Sequence, residues 1–229
     1  MTEPADVARG PRNRGPTNRG GDVVGEARGL VLAALLSALA GFVDVIGYLH
    51  LSGLFISFMS GNSTQLAASL GQRDLAEAAT IAELIALFVL GAAAGQVLAG
   101  FTGRRHMTCV LIAVALLLAI AAALGTAPEP MVFAMGILNA SMHRAGSIPV
   151  SLTFVTGVLV RFGQGVGDFL MRRSTGWKWL AQATPWVGLI TGATIGSAVF
   201  MRIGDAAIWV PVSLAGVLAA WSALIPQPD

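Results

Sequence analysis

The sequence predicts an all-α, polytopic transmembrane bundle of about six spanning helices, two broken or re-entrant helices and two internal repeats. Three observations carry that prediction: the composition, the spacing of the apolar runs, and three landmarks that recur in the same order about a hundred residues later. Of the 229 residues, 55% are hydrophobic and 11% charged. Mean hydropathy is +0.74. Soluble domains carry roughly 25% charged residues, and so few charges cannot cover a water-facing surface of this size. Lipid removes that requirement.

Residues 1–29 hold Arg9, Arg12, Arg14, Arg19 and Arg28 among Gly and Pro, without apolar periodicity. They predict a disordered basic cytoplasmic tail that sets topology rather than one that binds nucleic acid. No small-residue cleavage site follows the first apolar run, so it is expected to be a retained span and not a signal peptide. The remainder, 30–229, is expected to be a single transmembrane domain.

A spanning helix needs about 20 mostly apolar residues. The runs 30–49, 81–101, 107–124, 131–146, 184–201 and 206–225 fit that length and composition. Two further stretches, 54–70 and 150–171, are apolar but carry Ser, Thr, Gly and Gln inside them, and the second carries Arg161. Non-helical backbone survives at membrane depth only where protein or water surrounds it. These two stretches are therefore the candidate broken helices and the expected location of function.

The landmarks recur in order. Gly41-Phe42-Val43-Asp44 matches Gly136-Ile137-Leu138-Asn139 at an offset of 95, and Ser60-Gly61 matches Thr156-Gly157 at 96. Gly91-Ala92 with Gly95 matches Gly192-Ala193 with Gly196 at 101, the extra residues fitting a polar insertion near 172–183. Repeat one then covers about 30–125 and repeat two about 130–225.

If neither broken segment crosses, eleven Lys and Arg lie on the tail's side, against Arg73 and Arg202 on the other. If both cross, the balance is nine against four. The positive-inside rule favours six spans with a cytoplasmic amino terminus, in the bacterial inner membrane. Three spans precede the second repeat, so the two copies would be inverted, as in many transporters. Trp177, Trp179, Trp209 and Trp221 near the predicted helix ends fit the membrane interface.

Gly41-Phe42-Val43-Asp44-x-Ile46-Gly47-Tyr48, followed by Phe55-x-Ser57-Phe58-Met59-Ser60-Gly61-Asn62, resembles the YoaK-like family of bacterial membrane proteins. Gly136-x-x-Asn139 and Val155-Thr156-Gly157-x-Leu159 extend the resemblance through residues 30–225. Ser60 stands where that family usually has Thr and keeps the hydroxyl. The family is a domain of unknown function, so the resemblance implies a membrane location and an architecture, not a reaction.

The residues that could carry chemistry cluster in the broken segments. Gly61 can interrupt a helix, and Ser57, Ser60, Asn62 and Ser63 are polar or capping residues. A half-helix starting there would aim free N–H groups at a polar or anionic solute, with Thr156 and Gly157 as a second half-site. Alternatively, the same residues hydrogen-bond between helices. Asp44, in the second half of its span, is open to two roles: proton or ion coupling, or holding the broken helix in place. Asn139 is its uncharged counterpart, and Arg161 could pair with Asp44, attract an anion, or extend to the interface. Glu83 and His143 are expected to be structural. The Gly91–Gly95 and Gly192–Gly196 faces are packing surfaces that could also support a homodimer.

Enzymatic alternatives are thin. Gly165-Val166-Gly167-Asp168 resembles the Gly-x-Gly-Asp element of intramembrane aspartyl proteases, with Asp44 as the possible second carboxylate. The Pro-Ala-Leu element of those proteases is absent, and Asp168 sits four residues before Arg172, a helix-end ion-pair spacing. With three His and one Cys, Cys109, no metal-ligand spacing or disulfide is readable. No cofactor is expected. The reading is of a small transporter or permease for a polar or anionic solute, with a non-catalytic scaffold or sensor as the alternative. Its partners are the lipid bilayer and an unidentified solute.

Overall fold

The computed structural model describes residues 19–142, 155–173 and 178–224. Regular structure among them is entirely helical: α1 (Arg19–His50), α2 (Met59–Gln72), α3 (Leu75–Thr102), α4 (His106–Ala123), α5 (Pro128–Met142), α6 (Val155–Leu170), α7 (Thr184–Ile203) and α8 (Trp209–Leu224). Short 3-10 turns at Gly103–Arg105, Lys178–Ala183 and Gly204–Ile208 join or precede them. Three continuous helical stretches, Ala27–His50, Leu75–Ala123 and Trp179–Leu224, are long and apolar enough to cross a membrane. The second contains α3 and α4, the third α7 and α8. With α5, whose inward side is fully buried at Val132, Ala134, Met135 and Leu138, these make a polytopic transmembrane helical bundle.

The expected tail needs a correction at its inner boundary. Helix α1 begins at Arg19, ten residues before the predicted tail ends at 29. Extending a helix from an existing apolar one needs no new nucleus, so Asp-Val-Val-Gly-Glu-Ala continues it despite lacking an apolar stripe. Residues 1–18 lie outside the described residues, as do His143, Arg144 and Trp177.

Helix directions follow from the contacts. Gly188, Gly192 and Gly196 of α7 lie against Ala34, Ala38 and Phe42 of α1 in the same order, so α1 and α7 run parallel. His50 at the end of α1 also faces Asp205 just beyond α7, at 3.5 Å. Gly91 and Gly95 of α3 lie against Phe133 and Ile137 of α5, again in parallel. The four-residue link between α4 and α5 closes with Thr126 N–H donating to Ala121 O at 2.8 Å, which turns the chain back on itself. Thr108 near the start of α4 bonds Ser222 near the end of α8 at 3.1 Å, and these two helices pack antiparallel. Followed around the bundle, α1 and α7 run opposite to α3 and α5. The chain leaves α1 and enters α3 on the same face, so the segment holding α2 enters and leaves by one side. The same logic holds for α6 between α5 and α7. The two broken segments are re-entrant.

The contacts are also reciprocal. Gly41 sits against the Leu189 carbonyl and Ala193 N, and Gly136 against the Phe88 carbonyl and Ala92 N. Gly192 sits against the Ala38 carbonyl, and Gly91 against the Phe133 carbonyl. Every pair is related by the offsets of 95 and 101 found in the sequence. All four glycines of the two predicted packing faces are buried inside this chain. The homodimer expected through those faces therefore has no free surface there; the small residues serve to bring helices of one chain close. The outward surface is apolar, with Val89, Val97, Leu116, Ile120, Val187, Ile195 and Val217 all more than half exposed or nearly so. That exposure suits hydrocarbon rather than water.

Candidate functional site

Asp44 lies six residues before the end of α1, about 9 Å from it along the axis. Beyond His50 the chain reverses through Ser52 (φ 53) and Gly53 (φ 106), and residues 54–58 run back along α1 without helical bonds. Backbone left open at membrane depth must find partners within the protein. Here side chains supply them. The Asp44 carboxylate accepts the Ile56 N–H at 2.9 Å, the Ser57 N–H at 2.6 Å and the Ser57 hydroxyl at 2.7 Å. Asn62, fully buried, accepts the Phe55 N–H at 2.9 Å and donates to the Phe55 carbonyl at 2.7 Å. Gln65 donates to the Gly53 carbonyl at 3.0 Å. The dipping loop is thus pinned at both ends and its middle.

The other predicted residues divide. Gly61 leaves room for the rings of Phe58 and Phe55, which a Cβ would meet at 2.7 and 3.0 Å. Ser60 and Ser63 are exposed; the Ser63 hydroxyl donates to the Met59 carbonyl of its own helix. Of the predicted polar residues, Asn62 is engaged by the loop, while the Ser60 and Ser63 side chains are exposed. Asn139 is buried on α5 and donates to the Met135 carbonyl at 2.9 Å. The stretch that would mirror its partner loop, 143–154, lies outside the described residues. Arg161 is exposed on α6 and no ion pair with Asp44 forms. Thr156 is exposed and Gly157 half-buried at the start of α6.

A cavity of about 460 Å³ opens beside the Asp44 carboxylate. Gly41, Val45 and Tyr48 of α1, the rings of Phe55 and Phe58, Leu189 and Ala193 of α7, and Val155 at the tip of α6 form its wall. Both re-entrant segments therefore meet at one chamber, the first through its loop and the second through its leading residue. Its polar side chains are Asp44, Ser57 and the phenol of Tyr48. The aromatic wall is continuous: Tyr48 and Phe55 rings are 5.2 Å apart, and Phe55 and Phe58 meet edge-on at 5.2 Å. No cationic side chain lines this cavity among the described residues, so an anionic solute would meet only the carboxylate. A charged side chain at such depth costs roughly 2.5–3.5 kcal/mol on insertion scales, which the three donors offset.

Tyr48, Phe55, Phe58, Val155, Leu189 and Ala193 were not legible as site residues. Apolar side chains in an apolar sequence carry no site signal of their own, although Tyr48, Phe55, Phe58 and Val155 lie in the motifs that carry the family resemblance and Ala193 follows the repeated Gly192. The protease arrangement is not formed. Val155 borders the cavity, whereas Asp168 is exposed thirteen residues farther along α6, about 20 Å away by helical rise.

The comparisons with known proteins agree with the fold. Residues 32–221 match the family described as "Protein of unknown function (DUF1275)". The "UPF0700 transmembrane protein RA0705" of Rhizobium meliloti (strain 1021) is 41% identical over 204 residues, spanning 87% of this chain and 88% of the relative. No solved structure matches.

Proposed function

The chain belongs to the DUF1275 family of transmembrane proteins, and from that premise we propose that it is a small solute carrier with a central binding chamber. The observation that carries this reading is the 460 Å³ cavity whose wall is shared by α1, α7 and both re-entrant segments. Its volume lies in the range of roughly 300–1,000 Å³ typical of small-molecule sites. In this reading the chain is an inverted duplication, supported by the reciprocal glycine contacts at offsets of 95 and 101. Alternating access would rock the α1–α7 pair against the α3–α5 pair about the chamber. Asp44 is the coupling group, and the Lys and Arg bias sets the amino terminus in the cytoplasm of the inner membrane.

A second reading, a non-catalytic scaffold or sensor, draws on the hydrogen bonds that fix the loop through Asp44, Asn62 and Gln65. One experiment separates the two. In a Cys109→Ala background, Val45→Cys places a thiol in the cavity wall, to be labelled by a membrane-impermeant maleimide in sealed vesicles of both orientations. A carrier exposes that thiol to each side in turn. A scaffold leaves it silent, or open to one side alone.

A further inference from the structure

The chemistry of the chamber says more than that a solute fits. The Asp44 carboxylate is held by neutral donors, two backbone N–H groups and one hydroxyl. The groups that share the cavity with it are rings, aliphatic side chains and the neutral hydroxyls of Ser57 and Tyr48, with no cation among the described residues. Negative charge in a low-dielectric pocket with no fixed counter-ion favours a cation that enters with the ligand. The rings of Tyr48, Phe55 and Phe58 line the same cavity, in a chain with centroids 5.2 Å apart. Aromatic faces attract a cation electrostatically and cover its apolar substituents. A strongly hydrated inorganic ion would lose its water here and find too few oxygens to replace it.

Resting on the chamber reading above, we propose that the ligand is an organic cation: an ammonium group carrying an apolar or aromatic body. The ammonium sits at Asp44 and the body against Tyr48, Phe55 and Phe58. This departs from the anionic solute suggested by a half-helix amino terminus, because the first turn of α2 is occupied by its own loop. The Met59 N–H donates to the Ser57 carbonyl at 3.1 Å, and the Gly61 and Asn62 N–H groups donate to the Phe58 carbonyl at 3.1 and 3.4 Å.

The test uses the purified full-length protein in detergent and three probes of similar size: benzyltrimethylammonium, benzyl alcohol and phenylacetate. Binding is read by titration calorimetry and by the shift in unfolding temperature. The expected result is binding of benzyltrimethylammonium at least tenfold tighter than either other probe. Asp44→Asn should remove at least tenfold of that affinity. The amide can still accept from the two N–H groups and donate to the Ser57 hydroxyl, so the loop has a route to its native form. Val155→Trp fills the cavity from its rim without touching the carboxylate, and should abolish binding in a folded protein. If benzyl alcohol or phenylacetate binds as tightly as the cation and Val155→Trp removes that binding, the cation class is overturned while the chamber stands. If Val155→Trp changes no probe's affinity, or if the folded protein binds none of the three, the chamber reading falls with it.

Discussion

Asp44 and Ser57 meet twice, the Ser57 N–H donating to Oδ1 at 2.6 Å and its hydroxyl to Oδ2 at 2.7 Å. With the Ile56 N–H on the same Oδ1, this one carboxylate replaces the helical partners that residues 56 and 57 lack. Asp44→Ala leaves two backbone donors without an acceptor inside the bundle. It should destabilise the protein by roughly 3–5 kcal/mol, as does breaking other buried charge-assisted pairs. Asp44→Asn keeps an acceptor for both N–H groups and should lose less than about 2 kcal/mol. Reversible unfolding in mixed micelles measures both. Equal losses would mean that the carboxylate does not hold the loop.

Asn62 tests the middle of the same loop. Its amide both accepts from and donates to Phe55, so the group must carry one acceptor and one donor. Asn62→Asp keeps the acceptor but sets a second oxygen against the Phe55 carbonyl. It should cost more than Asn62→Leu does, by roughly 1 kcal/mol or more. Hydrogen exchange localises the effect: protection at residues 53–58 should fall in both variants, while α4 and α8 keep theirs. Uniform loss across the bundle would place Asn62 in global packing instead.

The glycine contacts make a paired prediction. A Cβ on Gly192 overlaps the Ala38 carbonyl, and one on Gly91 overlaps the Phe133 carbonyl. Neither obstacle is the tip of a flexible side chain, so Gly192→Ala and Gly91→Ala should each cost roughly 1–3 kcal/mol through forced helix separation. Gly100→Ala and Gly216→Ala meet nothing within 4 Å. Both should be neutral or mildly stabilising, since Ala is the better helix former. Matched losses at Gly91 and Gly192 are what the inverted duplication expects. A large loss at one and none at the other would count against it.

The legible part of this protein was its periodic part. Runs such as 107–124 and 184–201 gave α4 (His106–Ala123) and α7 (Thr184–Ile203) within two residues at each end, because length and hydropathy alone decide a span. The helix pairing was half legible: the offsets of Gly41 and Gly136, or Gly91 and Gly192, announced related roles. Sequence could not say which helices of the chain these glycines faced, so a dimer surface stayed open beside the packing reading. Asp44 stood out because a carboxylate in an apolar run needs an explanation. Which explanation applied depended on a loop returning from residues 54–58, a tertiary fact that no local pattern encodes. Ser60 and Ser63 read as capping groups; α2 starts without a side-chain cap, its Met59, Gly61 and Asn62 N–H groups bonding the Ser57 and Phe58 carbonyls, and Ser63 bonds its own preceding turn.

The re-entrant path of α2 yields the sharpest test of the topology. Since α1 and α3 run in opposite directions, Arg73 must emerge on the face that also holds the link 124–127 and the turn after α7. Gly103–Arg105 and Arg173 belong to the other face. Single cysteines at positions 73, 127 and 202, in a Cys109→Ala background, should therefore label from one side of sealed vesicles, and those at 104 and 173 from the other. Helix α2 has 14 residues and an axial length of about 21 Å, short of the roughly 30 Å hydrocarbon layer. A further cysteine at position 52, in the turn after α1, should label from the same side as 73; labelling of 52 and 73 from opposite sides would require α2 to cross on its own. The parallel α1–α7 packing would then have to be reversed, since a crossing α2 turns α3 and every helix after it over relative to α1. Labelling of 52 and 73 with 127 and 202 leaves the loop at Asp44 as a dip from one side into the middle of the bundle, which is where a chamber reached by both broken segments has to lie.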